Sequence, residues 1–260
     1  MIDIQKQRPP RKIAIDKVGV KNLSYPITVL DRANKIQHTV GSINMYVNLP
    51  HRFRGTHMSR FIEILNEHHK ELHIHTIGEV LQKMKDKLNA EEAHMDVTFP
   101  YFIEKSAPVS GAKSMMEYLC CYQGRLRQKS DFILTVNVPV TSVCPCSKEI
   151  SDRGAHSQRS LVTVQIRIRK MVWIEEVVEI AERSASGPVY ALLKREDEKS
   201  LTESAYDRPR FVEDIVREIA KKFNEDPRIV WYRVESENFE SIHNHSAYAS
   251  IERDKRIIKI

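Results

Sequence analysis

Hydrophobic side chains recur along this chain with two periods, and the switches between them mark its elements. Ile43, Met45, Val47 and Leu49 alternate with other positions up to Pro50, the period of a half-buried strand. Residues 18–23 and 27–30 have strand character before it, interrupted at Pro26. The period then lengthens. Met58, Phe61, Ile62 and Leu65 share one face of a helix, with Thr56 or Ser59 placed to cap its start. Ile77, Val80, Leu81, Met84 and Leu88 predict a second helix, with Thr76 and Glu79 spaced as a capping box. Strand-like segments return at residues 94–103 and 113–126.

The second half runs in the same order. Residues 132–140 read as strand, and Val162, Val164, Ile166 and Ile168 alternate strictly with Thr163, Gln165, Arg167 and Arg169. Ile174, Val177, Val178 and Ala181 predict a helix closed by Gly187-Pro188. Val212, Ile215, Val216, Ile219 and Phe223 predict another, ended by Asn224 and Pro227. Residues 229–234 and 246–251 are the last strands. Each half therefore reads strand, strand, helix, helix, strand, strand, although the halves share no residue-level similarity. This order predicts an α+β protein whose antiparallel sheets carry two helices on one face, ββααββ twice. Residues 13–127 form the first module and 128–260 the second, after a flexible basic arm at 1–12. Sheets of about four strands leave edges that must be covered or paired, so a symmetric homo-oligomer is expected.

Composition narrows the function classes. A chain of 260 residues with 41% hydrophobic and 29% charged residues has the make-up of a globular protein with a sizeable core. No apolar run approaches the length of a membrane span, and the start Met1-Ile-Asp-Ile-Gln-Lys lacks an apolar signal core. A cytoplasmic location is the expectation. The net charge of +6 suits an anionic partner, a polyphosphate nucleotide as readily as a nucleic acid. Basic and acidic residues are interspersed, though, and residues 6–12 are the most basic stretch, so a nucleic-acid partner is not expected. Glycine is scarce, and neither the P-loop nor the dinucleotide-binding glycine pattern occurs. Phosphates would then be held by side chains and element ends. The 4 cysteines do not suggest a disulfide framework. Cys120-Cys121 sits among Met115, Met116, Tyr118 and Leu119 and reads as core filling.

Five segments carry candidate chemistry. In Cys144-Pro145-Cys146 two thiols stand two positions apart, with His156 ten residues after the second. Thiolate and imidazole are ligands for a borderline-soft metal, and the proline stiffens the loop that presents them. The same spacing also suits two side chains packing on one face of a strand. Arg52-Phe53-Arg54-Gly55-Thr56-His57 brings two arginines and a histidine to a helix start, a phosphate-binding arrangement or a solvated turn. Lys194-Arg195-Glu196-Asp197-Glu198-Lys199 is a charge run expected in a loop between helices. Glu213 opens the last helix at the edge of its apolar face. There it either complements the helix dipole or accepts paired N–H donors from a guanine edge. Glu240, His243 and His245 fall within six residues between two strands, where they could ligate a metal, act as acid and base, or form a polar turn.

Taken together, the segment His51 through Phe61, Cys144 through Arg159, Asp197-Glu198-Lys199, Arg210 through Asp214 and Asn238 through Tyr248 resemble GTP cyclohydrolase of type IB over essentially the whole chain. The resemblance implies the tunnelling fold, two modules per chain and a homotetramer. It implies hydrolysis of GTP to 7,8-dihydroneopterin triphosphate and formate, the first step toward folate and in many bacteria toward queuosine-type deazapurines. It also implies one divalent metal per site, zinc, manganese or iron. Cys144 matches the thiolate ligand, with His156, Glu198 and His243 as further ligands and Glu240 near them. Cys146 matches a second active-site thiol, and Cys144, Cys146 and His156 are the expected catalytic groups. Glu213 matches the carboxylate that anchors guanine, and Arg54 and His57 are chosen as further substrate contacts. Three alternatives remain at this stage: an archaeal-type relative making a 2',3'-cyclic phosphate, a catalytically inactive metal or nucleotide binder on the same fold, and a nucleic-acid binder.

Overall fold

The computed structural model describes residues 5, 7–68, 72 and 74–257. Residues 1–4 and 6 of the expected basic arm lie outside this set. The chain divides into two compact units. One holds the described residues up to Pro100 together with Cys121–Ile133, the other Tyr101–Cys120 and the described residues from Leu134 onward.

In the first unit, β1 (Ile15–Asp31) and β2 (Lys35–Leu49) form a long antiparallel hairpin, and β2 pairs in turn with β3 (Ala93–Ser106). Helices α1 (Met58–His68) and α2 (Ile74–Leu88) follow β2, and β4 (Lys113–Leu126) follows β3; of these two strands, residues 93–100 and 121–126 belong to this unit. The alternation in β2 is realised, since Ile43, Met45, Val47 and Leu49 are all buried. Pro26 does not interrupt β1. It pairs with Val40, and the register slips earlier, between Val20 and Leu23, where Asn22 has φ 58. A proline is tolerated there because β1 pairs on one side with β2, and its missing N–H can face away. Helix starts also differ from expectation. α1 begins at Met58, which is exposed, so Ile64 joins Phe61 and Leu65 on the buried face and Ser59 lies inside the helix. α2 begins at Ile74, placing Thr76 inside it rather than at its cap. Gly124 of β4 is where α2 comes closest: a Cβ there would stand 2.6 Å from Ile77 Cγ2.

In the second unit, β5 (Ser130–Val143), α3 (Pro145–Ile150), β6 (Ser157–Ile168), α4 (Ile174–Ser184), β7 (Gly187–Pro188), α5 (Arg195–Asp207), α6 (Val212–Glu225), β8 (Ile229–Asn238) and β9 (Ala247–Asp254) follow in chain order. The strands run antiparallel in the order β5-β6-β8-β9, with the two-residue β7 against β5. The ββααββ frame is present here, with α3, β7 and α5 inserted into it. Val162, Val164 and Ile166 of β6 are fully buried, as are Ile215, Ile219 and Phe223 of α6. Full burial of each such side chain is worth about 1.5–3 kcal/mol, so the two faces contribute to the unit's core as a pair. Cys120 is buried, as core filling requires, whereas Cys121 is half-buried and accepts from Thr98 Oγ1.

Candidate active site

The site grows out of the end of β5. Where β5 stops, Cys144 becomes the N-cap of α3: its sulfur accepts from Ser147 N at 3.5 Å, and Pro145 occupies the first helical turn. That proline has no N–H to lose at a helix start and presets the helical φ. The Cys-Pro-Cys segment is therefore a helix start rather than a strand. Cys144 is half-buried and Cys146 faces solvent.

His156 is tied to Cys144 through the main chain. The Cys144 amide donates to the His156 carbonyl at 3.1 Å, and the His156 amide donates to Ser147 Oγ at 3.2 Å. The imidazole is largely buried. Its Nδ1 lies 2.9 Å from Gln158 Oε1 and 3.8 Å from Glu240 Oε2. Glu240 follows β8, and the Phe239 amide donates to Arg159 O at 3.1 Å, which holds the segment against β6. The fold thus brings Cys144, His156 and Glu240 to one end of the second unit's sheet.

Glu198 reaches this region from α5. The charge run 194–199 is the start of that helix, not a loop. Asp197 is fully buried there. Its Oδ1 accepts from the Val109 and Ser110 amides, both at 2.9 Å, and its Oδ2 from Ser110 Oγ at 2.6 Å and the Lys194 amide at 2.9 Å. Burial would push this carboxyl up, but the hydrogen bonds from Ser110, Lys194 and Val109 outweigh it and hold the carboxyl well below the usual range. The anchored Asp197 sets the first turn of α5, and the neighbouring Glu198 lines a cavity of about 570 Å³ with Gln158, Arg159, Tyr190 and Thr202. Tyr190 is held by Lys105, whose Nζ sits 4.2 Å from the ring centroid and 2.7 Å from Glu182. Burial, then Glu182 and Asp197, pushes the Tyr190 phenol above its ordinary pKa, keeping a neutral hydroxyl in the wall.

The remaining predicted residues are placed as follows. His243 is exposed in the turn between β8 and β9, with its ring stacked on that of His245 at a centroid distance of 5.1 Å. Glu213 is exposed in the first turn of α6, whose opening amide, Phe211 N, is capped by Asp214 Oδ2 at 3.1 Å. Arg54 and His57 belong to the first unit. There the Gln5 carbonyl accepts from the Arg54 and Gly55 amides at 3.0 and 3.2 Å, and Gln5 Nε2 donates to Thr56 O. Among the described residues, no three His, Cys, Asp or Glu side chains stand together as a finished metal cluster. The donor types nevertheless suit one. A sulfur carrying a single weak N–H contact and an imidazole with acceptors around Nδ1 leave Sγ and Nε2 as the candidate ligand atoms.

Five strand residues here carry no hydrophobic signal of their own. Ser142 continues the buried face of β5 after Val136, Val138 and Val140, Gln158 and Ser160 precede Val162, Val164 and Ile166 on the buried face of β6, and Ser236 and Asn238 follow Tyr232 and Val234 on that of β8. Ser236 Oγ and Asn238 Oδ1 have no hydrogen-bond partner among the described residues. Each buried unpaired polar atom costs about 1–3 kcal/mol, so this polar patch is kept against stability. Arg210, whose amide donates to Val143 O at 3.0 Å beside Cys144, likewise has a buried Nε without a partner. The one sequence cue available for the strand residues was their place in step with the apolar alternation beside them.

The architecture is the tunnelling fold, shared with urate oxidases. The uricase of Arthrobacter globiformis superposes over 92% of this chain and 93% of its own with a TM-score of 0.51 at 7% identity. The urate oxidase of Bacillus sp. TB-90 does so over 92% and 100% with a TM-score of 0.55 at 9% identity. Such low identity speaks for the fold alone. Sequence is more specific. A profile described as "Type I GTP cyclohydrolase folE2" matches residues 1–249. The "GTP cyclohydrolase FolE2" of Geotalea uraniireducens is 60% identical over 98% of this chain and 94% of its own length, and that of Syntrophus aciditrophicus is 60% identical over 98% and 100%. The chain belongs to the type I GTP cyclohydrolase FolE2 family, the type IB enzymes.

Proposed function

We propose that this GTP cyclohydrolase uses a divalent metal held by Cys144, His156, Glu198 and His243, with Glu240 beside them, to convert GTP and water into 7,8-dihydroneopterin triphosphate and formate in folate biosynthesis. The observation that carries the reading is the convergence of Cys144, His156 and Glu240, with Nδ1 3.8 Å from the carboxylate, in a chain of this family. Zinc, manganese or iron, when bound, supplies the acidity that makes hydroxide available at neutral pH for attack at guanine C8. The protein's part is binding, orientation and proton transfer. Glu213 accepts the guanine N1–H and N2–H2 pair, a contact adenine cannot return, and so selects the base. Glu198 and Tyr190 line the neighbouring cavity of about 570 Å³, a volume that suits a ligand of nucleotide size. Arg54 and His57 contact substrate. Cys146, exposed two residues from Cys144, carries protons during ring opening and reclosure.

The two modules are assigned to residues 13–127 and 128–260. The working form is a homo-oligomer, a tetramer, in which copies join at strand edges. Support comes from β1 and β9, each paired on one side in the described residues. Cytoplasmic location accords with the absence, among the described residues, of any helix long and apolar enough to cross a membrane.

The test is to strip the protein with chelator, add GTP with Mn²⁺, Zn²⁺ or Fe²⁺, and follow neopterin fluorescence after oxidation and phosphatase. Metal-dependent neopterin that disappears in Cys144→Ala is the expected result. A product that needs opening of a cyclic phosphate first would replace the linear triphosphate assignment. No turnover by folded, metal-loaded protein would overturn the enzyme reading.

A further inference from the structure

Two acceptors face the Nδ1 atom of His156: Gln158 Oε1 at 2.9 Å and Glu240 Oε2 at 3.8 Å. An imidazole nitrogen surrounded by acceptors keeps its proton, which leaves the opposite nitrogen, Nε2, with a bare lone pair. The other end of the Gln158 amide is held by the β5–β6 pair. Its Nε2 donates to Ser142 Oγ at 2.9 Å, and Ser160 Oγ donates to the same Ser142 oxygen at 3.1 Å. Ser142 and Gln158 are directly opposed across the β5–β6 ladder, and Ser142, Gln158 and Ser160 are all buried. Water therefore does not compete for these bonds. The Glu240 carboxylate decides the amide's sense: it faces the same Nδ1, and a flipped Gln158 amide would pair with an unprotonated Nδ1 and leave that carboxylate without a ring donor.

We propose that Gln158 is a positioning residue: held by Ser142 and Ser160, it fixes His156 as the Nδ1–H tautomer, with Nε2 free to bind the metal. This rests on the reading of His156 as a ligand. It also accounts for the polar patch at the end of an otherwise apolar face, because the patch forms a support reaching from the core to the imidazole. The metal never touches Gln158, Ser142 or Ser160, so their effect passes through the orientation and protonation of one ring.

The test uses Gln158→Met, which keeps length and shape but removes the carbonyl, with Ser142→Ala as a milder second variant and His156→Ala as reference. Two quantities are read on full-length protein: Zn²⁺ and Mn²⁺ affinity by chelator competition, and the His156 tautomer in the metal-free form by ¹⁵N NMR of histidine-labelled protein. The expected results are an Nδ1–H tautomer in wild type, a mixed population in Gln158→Met, and a loss of metal affinity of about 10–100-fold. Ser142→Ala should lose less, and should add nothing in the Gln158→Met background. A wild-type ring protonated at Nε2 overturns the proposal. So does Gln158→Met binding metal as wild type does while His156→Ala loses it. If His156→Ala itself binds normally, the ligand reading fails and takes the metal half of the proposal with it, while the NMR result still decides the tautomer. A structural role alone would lower thermal stability without shifting the tautomer.

Discussion

Glu213→Gln separates stability from catalysis by design. The side chain is exposed in the first turn of α6, and the cap of that helix comes from its neighbour Asp214. Folding therefore loses the interaction of one charge with the helix dipole, about 0.3–1 kcal/mol. For a chain of this size that lowers the melting temperature by at most about 4 °C. With Glu213 as the proposed guanine anchor, catalysis is expected to lose far more. Two N–H donors of guanine on one carboxylate are each worth about 1.5–3 kcal/mol, so together about 3–6 kcal/mol. At tenfold per roughly 1.4 kcal/mol, kcat/KM for GTP should fall about 10²–10⁴-fold. Inosine triphosphate, which lacks the 2-amino group, supplies the internal control. Wild type should prefer GTP over it by about 10–100-fold, and the variant should lose most of that preference. The assay is neopterin release with both nucleotides beside a thermal melt. A kcat/KM within about threefold of wild type, or an unchanged preference for GTP, would refute the guanine-anchor role. A melt that collapses along with activity would refute the premise that the residue is structurally idle.

Further tests probe the scaffold. A Cβ on Gly19 would stand 1.9 Å from the Met45 carbonyl oxygen on the paired strand, a backbone atom that cannot swing away. Gly19→Ala should therefore destabilise by at least about 1–3 kcal/mol in urea unfolding, and an unchanged midpoint would contradict the packing of β1 on β2. Glu67 joins α1 to α2 by bonds from Lys87 at 2.7 Å and Lys83 at 3.0 Å, which hold its pKa at about 2. Because the folded value is depressed, its contribution is fully present above the ordinary carboxylate value and is lost as pH falls toward 2. The difference in urea midpoint between wild type and Glu67→Gln should shrink on acidification; a difference that grows would reverse the sign. Tyr101→Phe removes the hydroxyl that donates to Glu175 Oε1 at 2.8 Å in the buried interior, and should cost about 1.5–3 kcal/mol by chemical denaturation.

What could be read from the sequence follows from how each element is stabilised. β2, β6, α2 and α6 announce themselves because burial of one face dominates their energetics, and the face is visible as a period. α5 does not, because it is built on Asp197 accepting four hydrogen bonds rather than on an apolar stripe, so its charges read as a solvated loop. α3 is six residues with none buried, too short for a period to register. The chemical segments around Cys144, His156 and Glu240 were visible as residue types, and three elements far apart in sequence bring them together. Gln158, Ser142 and Ser160 lay outside the stretches whose alternation predicted strand, which stopped at 140 and resumed at Val162. Their significance depends on facing inward, which a one-residue change of register would reverse.

Most helices are capped by an oxygen; α3 is capped by the Cys144 sulfur. The atom that starts the helix is thus also the atom proposed as the metal ligand. A serine at this position would restore a conventional cap while withdrawing the soft ligand, whereas alanine withdraws both. Cys144→Ser is accordingly the cleaner knockout: its failings can be charged to the missing thiolate alone, and comparing it with Cys144→Ala isolates what the cap itself contributes.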